Sequence, residues 1–442
     1  IIGFTDLILT TELSKTQKDY LQNVKKSAYG LLEIINDILD FSKIEAGKMM
    51  INPTELNLHE LVEETIDILT VKAFEKNLEL VCSIQPDLPS LIYGDPVRIR
   101  QVLVNLLGNA IKFTEKGEIF VSVEKKEIYN ENGKDYIRIS IMVSDTGIGI
   151  SNNKLQQIFE GFTQADSSTT RNFGGTGLGL TISKSLAELM GGDLTVESKV
   201  GEGSKFTLQL SLEIANNQPS YLPVPNTRLR KLLLVDSNHT NRQVMKDIFR
   251  YFRIDCITVA DSDEALYKLE CATADGQPYD LLITDNHLPS TDGISLARKI
   301  RNSGSFSDIP ITLMLSSLEK NRYVKDAEAA GIHKFLTKPL KMQNLYDTLN
   351  EIIYNTTGRE ELRTIEHSLE KFSNVSEVMV VEDEPMNMLL ICEVLRNMGF
   401  NAIQASNGKK ALEILPLHKP LMIFMDVNMP IIDGYTPTRN IR

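Results

Sequence analysis

The sequence predicts a multi-domain α/β protein. A helical hairpin leads into a mixed α/β unit with glycine-rich loops, and two doubly wound parallel α/β domains follow, the second incomplete. Three observations predict this. Apolar residues spaced in threes and fours run through 15–46, the stripe of a bundle helix. Two glycine segments, Asp145-Thr-Gly-Ile-Gly-Ile150 and Gly174-Gly-Thr-Gly-Leu-Gly-Leu180, punctuate the middle of the chain. From 231 onward strand and helix patterns alternate, and the alternation restarts at 378.

Bulk properties narrow the classes. A chain of 442 residues has room for about three domains. With 42% apolar and 24% charged residues it is ordinary globular material. A net charge of -12 without any sustained basic stripe argues against a nucleic-acid partner. Cys82, Cys256, Cys271 and Cys392 are scattered, which suits reduced core thiols in a cytoplasmic setting and not a zinc site. No apolar run approaches the ~18 residues of a membrane span, so no membrane contact is expected within these residues. Any anchor of the parent protein is expected upstream of Ile1. The run Ile1-Ile-Gly-Phe-Thr-Asp-Leu-Ile-Leu9 begins mid-pattern, without Met or an N-cap residue, as expected of a piece of a longer chain.

The elements follow in order. Residues 1–11 read as the last turns of one helix, and Thr10-Thr-Glu-Leu-Ser14 as a turn. Residues 15–46 read as a second helix with Tyr20, Val24, Ala28, Leu31, Leu32, Ile35, Ile38, Leu39 and Ile44 along one side, closed by Gly47. This stripe suits packing in a bundle or dimer. Ile137, Ile139 and 140–143 form a strand-like run ending in Asp145, whose carboxylate can accept from an exocyclic amine such as that of adenine. Gly147 and Gly149 beside it let the backbone approach a flat base. Residues 98–114 read as a helix burying Val102, Leu103, Leu106, Leu107 and Ile111. Asn105 and Asn109 lie four apart on one face of it, followed by Lys112. An amide oxygen can ligate Mg²⁺, and an ammonium can meet a phosphate. The second glycine segment opens a helix whose free N–H groups suit a polyphosphate. A dinucleotide fingerprint fails, because Leu180 stands where Gly or Ala is required.

These residues carry a resemblance. Asn105-Leu-Leu-Gly-Asn-Ala-Ile-Lys-Phe-Thr114 resembles the N box of sensor histidine kinases, and Asp145-Thr-Gly-Ile-Gly149 their G1 box. Phe159-Glu-Gly-Phe-Thr-Gln-Ala-Asp166 is similar to their F box, and Gly174 to Leu180 to their G2 box. Ile34-Ile-Asn-Asp-Ile-Leu-Asp-Phe-Ser-Lys-Ile-Glu-Ala-Gly47 resembles the second helix of their dimerisation domain, which implies a four-helix bundle in a homodimer. The resemblance implies an α/β-sandwich ATPase domain using ATP and Mg²⁺. In it Asp145 reads adenine, Asn109 holds the metal and Lys112 lies near the phosphates. Gly175, Thr176 and Gly177 cradle those phosphates, with Leu178 and Gly179 opening the helix. Residues 161–173 form a lid from which Arg171 reaches a phosphate.

The later domains repeat one design. Strand-like runs at 231–235, 254–259, 281–284, 311–315 and 332–336 alternate with helical runs at 241–251, 263–269, 294–300, 325–330 and 345–353. Val378-Met-Val-Val-Glu-Asp383 parallels Leu232-Leu-Leu-Val-Asp-Ser237, and Phe424-Met-Asp-Val-Asn-Met-Pro430 parallels Ile283-Thr-Asp-Asn-His-Leu-Pro289. Asp236 and Asp285 end the first and third strands of one copy; Glu382, Asp383 and Asp426 do so in the other. Converging acids repel, and a divalent cation compensates them. One of them can then attack a phosphoryl group. Ser316 ends the fourth strand, and Lys338 before Pro339 ends the fifth, placed to neutralise that group. This pattern resembles response-regulator receiver domains of flavodoxin-like fold, with Asp285 and Asp426 as phospho-acceptors. Receivers carry two acids after the first strand; Glu382-Asp383 matches and Asp236-Ser237 does not. The first receiver is therefore expected to bind Mg²⁺ weakly, to phosphorylate poorly, and to serve as a module that docks on the kinase core.

The expected layout is a partial dimerisation domain at 1–50, an ATP-binding domain at 51–215 and a linker at 216–229. A first receiver at 230–354, a linker at 355–376 and a truncated second receiver at 377–442 complete it. In this family the phospho-accepting His lies about nine residues ahead of the run matching Ile1-Ile-Gly-Phe4. His59, His239, His287, His333, His367 and His418 do not fit, and they read as surface or loop residues. The resemblance implies a hybrid histidine kinase whose phosphoryl group passes to Asp426 and on to a phosphotransfer protein or response regulator. As it stands, the chain is expected to bind ATP without labelling itself on histidine. The leading rival is a non-catalytic scaffold whose ATP site and receivers only regulate conformation; an ATPase of the related chaperone or topoisomerase type is disfavoured by the bundle helix ahead of the ATP domain and the receivers behind it.

Overall fold

Two sheets organise residues 37–361, one of the two units into which the chain divides; the other comprises 1–36 with 362–442. The computed structural model describes residues 1–161, 177–216, 218, 229–332, 334–356, 377–384, 387–388, 391–392, 395, 400–418 and 420–426.

The first sheet runs β1 (Thr54–Asn57), β3 (Leu91–Gly94), β7 (Gly203–Ile214), β5 (Lys134–Asp145), β4 (Glu118–Glu131), β2 (Glu79–Ile84), with β6 (Asp193–Lys199) on β7. Period-two burial of Ile119, Val121 and Val123 on β4 and of Ile137, Ile139, Ile141 and Val143 on β5 turns one face inward. Asn132 and Gly133, at φ 53 and 81, make the tight turn between these strands. Three helices, Leu58–Glu75, Pro96–Phe113 and Gly179–Leu189, cover the inward face and share one hydrophobic core with it. The helix expected from 98 starts two residues earlier. Asp95 caps it by accepting from Val97 and Arg98 N–H, both at 3.1 Å, and Pro96 takes the first turn, where no N–H is needed.

His59 corrects the sequence reading. It is not a surface or loop residue but the second residue of helix Leu58–Glu75, 3% exposed. Burial holds its imidazole down at about 4. Glu60 beside it is exposed, yet Leu58, Leu61 and Val62 roll this turn onto the core.

The second sheet is parallel, in the order β12 (Lys334–Lys338), β11 (Ile311–Ser316), β10 (Leu281–Asp285), β8 (Lys231–Val235), β9 (Asp255–Val259). Its alternate residues feed two cores. Leu232, Leu234, Leu281 and Ile283 face helices His239–Tyr251 and Met342–Thr356, whereas Leu233, Val235, Leu282 and Leu313 face Ser262–Ala274 and Gly293–Arg301. The helix expected at 325–330 runs instead over Ser317–Ala329. Its early turns lack an apolar rhythm, but Ser316 and Glu319 cap it reciprocally, a spacing that was legible and that periodicity alone passed over.

In the other unit, helix Ile2–Leu9 turns at Thr10 and Thr11 into helix Lys15–Glu45, whose residues from 37 on belong to the first unit, and Lys25 pairs with Asp6 at 2.5 Å. Helix Lys15–Glu45 buries none of its residues; Tyr20, Val24, Leu31, Leu32 and Ile35 remain exposed. Three parallel strands follow in the order β14 (Asn401–Ala405), β13 (Glu377–Val381), β15 (Met422–Met425). No helix among the described residues is long and apolar enough to cross a membrane.

Candidate functional site: a nucleotide-type loop and two acidic pockets

β5 delivers Asp145 at its last residue, 7% exposed. Burial pushes its carboxyl up, against the opposing N–H groups of Gly147 and Ser204; the Gly147 N–H donates at 2.8 Å. A Cβ at 147 would stand 2.5 Å from Phe113 O and 2.7 Å from Asp145 Oδ1, so only glycine fits beside the carboxylate. Gly149 adopts φ 68, where a side chain would also press on Lys199 O.

Asn109 Nδ2 donates to Asn105 Oδ1 at 3.3 Å, and Asn105 Nδ2 donates to Ser183 Oγ at 2.8 Å. Asn105 therefore ties helix Pro96–Phe113 to helix Gly179–Leu189. A Cβ at 179 would lie 2.5 Å from its Oδ1, which explains the glycine there. Leu178, grouped by sequence with the cofactor residues, turns its side chain into the core at 1% exposure and so anchors the loop. Gly177 takes φ 71 just before it. Lys112 Nζ lies 4.9 Å from the Phe113 ring centroid. Arg171, Gly175 and Thr176 lie outside the described residues. The Thr181 hydroxyl, on the first turn of helix Gly179–Leu189, is buried without a hydrogen bond, the kind of atom a bound group satisfies. The residues present fit a nucleotide.

The first acidic pocket forms at the carboxyl ends of the parallel strands. Asp236 follows β8, Asp285 ends β10 and Lys338 ends β12. Lys338 Nζ lies 2.8 Å from Asp285 Oδ2 and 3.3 Å from Asp236 Oδ2. Burial alone would pull this ammonium down; Asp285, Asp236 and Glu79 outweigh it and push its pKa up. Burial drives Asp236 up to about 6, eased by Lys338 and reinforced by Asp285 and Glu79. Asp285 is pushed up in the same way, by burial first. Asp236 Oδ2 is buried and accepts no hydrogen bond. The carboxylate oxygens of Glu79, Asp236 and Asp285 all fall within 4.8 Å of one another, a donor set that fits a divalent cation. Ser237 donates to His287 O at 3.4 Å, and Ser316 is engaged in its helix cap.

The third acid was invisible in the sequence. Glu79 opens β2 of the other sheet, and its Oε1 accepts from Lys338 Nζ at 2.9 Å across 259 residues. The same carboxylate accepts from Asn241 Nδ2 at 2.8 Å. Glu118 accepts from Asn238 Nδ2 and Thr240 Oγ1, both at 2.7 Å, and Lys341 reaches Asp67 at 2.6 Å. Val81 and Phe120 join the apolar core of the parallel domain. The parallel domain at 231–356 is thus docked on the β2 edge of the first sheet.

The second pocket gathers Glu382, Asp383 and Asp426, with oxygens also within 4.8 Å of one another. Glu382 is 8% exposed; its Oε1 accepts from Glu384 N at 3.2 Å and Asn387 Nδ2 at 3.3 Å.

Comparison with known proteins agrees with this geometry. Residues 94–214 match the family described as histidine kinase-, DNA gyrase B- and HSP90-like ATPase. Residues 232–350 and 378–442 match the response regulator receiver domain, and 1–47 the His Kinase A (phospho-acceptor) domain. The chain is 35% identical to sensor histidine kinase GacS of Pseudomonas protegens, over 100% of this chain and 47% of that protein. It is 32% identical to signal transduction histidine-protein kinase BarA of Escherichia coli, over 98% and 45% respectively. The chain spans about half the length of these relatives. Full-length ShkA, solved in complex with AMPPNP, shares the fold with a TM-score of 0.63 at 24% identity, over 100% of this chain and 86% of that one.

Proposed function

The chain belongs to the hybrid sensor histidine kinases, and we propose that its parent protein uses ATP to phosphorylate a histidine upstream of Ile1 and passes the phosphoryl group to Asp426. Asp145 accepts a hydrogen bond from the adenine amine, and Gly147 leaves room for the ring beside it. Asn109 and Lys112 stand toward the phosphates, with Gly177 and Gly179 opening the helix start that faces them. Asn109 and the carboxylates of the two acidic pockets would hold Mg²⁺, which when bound would supply charge neutralisation. In the first step an imidazole nitrogen bonds to the γ-phosphorus as the bond to ADP breaks. In the second, an Asp426 oxygen bonds to that phosphorus as the imidazole leaves.

The layout we infer is a partial dimerisation domain at 1–50, an ATP-binding domain at 51–215, and receivers at 230–354 and 377–442. The exposed apolar stripe of helix Lys15–Glu45 supports a homodimer through the hairpin, with a phosphotransfer protein or response regulator downstream. A cytoplasmic site of action follows from the same reading. One observation carries the proposal: an ATPase fold of histidine kinase type shares a chain with an acid pocket built twice at parallel strand ends.

The test uses the natural chain extended upstream of Ile1 and incubated with ATP labelled in its γ-phosphate. Acid-labile label on histidine should move to an acyl phosphate on Asp426, and Asp426→Ala should trap it on histidine. Absence of label from both positions would refute the reading and favour a non-catalytic scaffold.

A further inference from the structure

We propose that Glu79 is a latch that reads the occupancy of the Asp285 pocket. While Glu79 holds Lys338, the first receiver stays docked on the ATP-binding domain; an oxyanion bound at Asp285 takes Lys338 and releases it. The inference goes beyond the relay and does not depend on where the histidine lies.

The argument starts from the donors of one ammonium. Lys338 has three N–H bonds, and three carboxylates surround it, at 2.9 Å for Glu79, 3.3 Å for Asp236 and 2.8 Å for Asp285. Its side chain is only 10% exposed, so water offers no substitute. Lys338 donates to Glu79 and Asp285 but not to Asp236, and an oxyanion seated on Asp285 competes with Glu79 for the same ammonium. Asp236 and Asp285 are fixed at adjacent strand ends of the receiver's own sheet. Glu79 alone is carried by a different sheet, so it is the one that can leave.

Charge points the same way. Three carboxylates against one ammonium already leave the docked pocket anionic, and a further anion is repelled most by the acid that can move. Ser237 fits this account. A carboxylate there, next to Asp236 in the chain, would add a fourth acid to this end of the sheet, and the neutral Ser237 avoids that further charge. What else holds the surfaces together is the Asn241 bond to Glu79, the polar contacts of Glu118 and Asp67, and the packing of Val81 and Phe120.

The chain carries its own probe. Cys82 lines a small cavity between the domains, with Glu63 and Ile84 on one side and Ile248, Leu340 and Met342 on the other. Burial, and then the Glu63 carboxylate, push its thiol pKa up in the docked state.

The experiment takes the full chain bearing Asp426→Ala, to silence the second pocket, without nucleotide. Beryllofluoride with Mg²⁺ is titrated as the phosphoryl mimic, bound fluoride is followed by ¹⁹F NMR, and Cys82 alkylation by iodoacetamide is timed by mass spectrometry. Saturating beryllofluoride should speed Cys82 alkylation at least tenfold. Glu79→Gln should tighten beryllofluoride binding at least tenfold and expose Cys82 without it; Asp285→Asn should remove the bound fluoride signal. The proposal is overturned if Glu79→Gln changes affinity and Cys82 rate by less than twofold. Bound beryllofluoride that leaves Cys82 protected, or no binding in either form, would overturn it as well.

Discussion

The two acidic pockets stand on the same parallel topology and assemble their charge in opposite ways. The second takes all three acids from its own domain, at Glu382, Asp383 and Asp426. The first has a neutral Ser237 where the second has Asp383, and borrows Glu79 from a neighbouring sheet. One pocket is complete in itself; the other is complete only while docked. The first pocket thus serves as a contact surface on the same parallel topology that carries the second.

The largest effect that would break this comparison concerns acceptance. In the full chain exposed to labelled acetyl phosphate, Asp426→Ala should remove more than about 90% of incorporated label, because it deletes the attacking oxygen. Asp285→Ala should leave incorporation within about twofold. Equal losses would show that the first pocket accepts as well as the second.

Acid titration separates the regions differently. The depressed His59 contributes stability that is present above about 6.5 and is lost as pH falls through about 4, at most about 3 kcal/mol. Asp236, raised to about 6, works in reverse: its contribution is full below about 3.9 and is lost as pH rises through about 6. The two nearly offset in the larger unit. His59→Leu removes the opposing limb and leaves the raised carboxyls, Asp236 foremost, so the unit should gain on the order of 1 kcal/mol between pH 7 and 5. Calorimetric melts at both pH values decide it; a variant that still loses stability in acid contradicts the assignment.

A smaller perturbation tests how tightly the first pocket is built. A Cβ at Gly293 would press on Asp285 O and lie 2.9 Å from Leu313 Cδ1. Gly293→Ala should cost about 2 kcal/mol in urea unfolding. A neutral result would mean that the loop behind Asp285 gives way. The smallest expected change is also the most discriminating. Ser237→Asp restores the missing acid, and should raise Mg²⁺ affinity of the first pocket about tenfold, or about 1.4 kcal/mol. Mn²⁺ titration followed by electron paramagnetic resonance reads it; unchanged affinity would show that Glu79 already supplies that charge.

Much of the fold was legible because local pattern and burial agree. The alternation of 231–353 yields the five parallel strands, since each strand is sandwiched between helices and reads as an apolar run. The helix burying Val102, Leu103 and Leu106 was visible for the same reason. Where periodicity was the only guide, starts were lost: the caps at Asp95 and Ser316 lie before the first apolar repeat. His59 was misread because a single residue's burial depends on which way its helix rolls, which nearby charges obscure. Glu79 left no local trace at all, since its role exists only after two distant sheets meet.

Asp40 has a mechanical consequence. Near the end of helix Lys15–Glu45, its Oδ2 accepts from Gln101 Nε2 at 2.9 Å and pairs with Arg98 Nη1 at 3.3 Å, while Phe41 and Ile44 pack on the core beside it. Gln101 stands one turn before Asn105 on the helix that carries Asn109. The 31-residue helix is a shaft about 46 Å long. At a side-chain radius of about 5 Å, a 10° turn of that shaft shifts its surface by about 1 Å. Rotation of the helix at Asp40 thus reaches the two asparagines through one carboxylate.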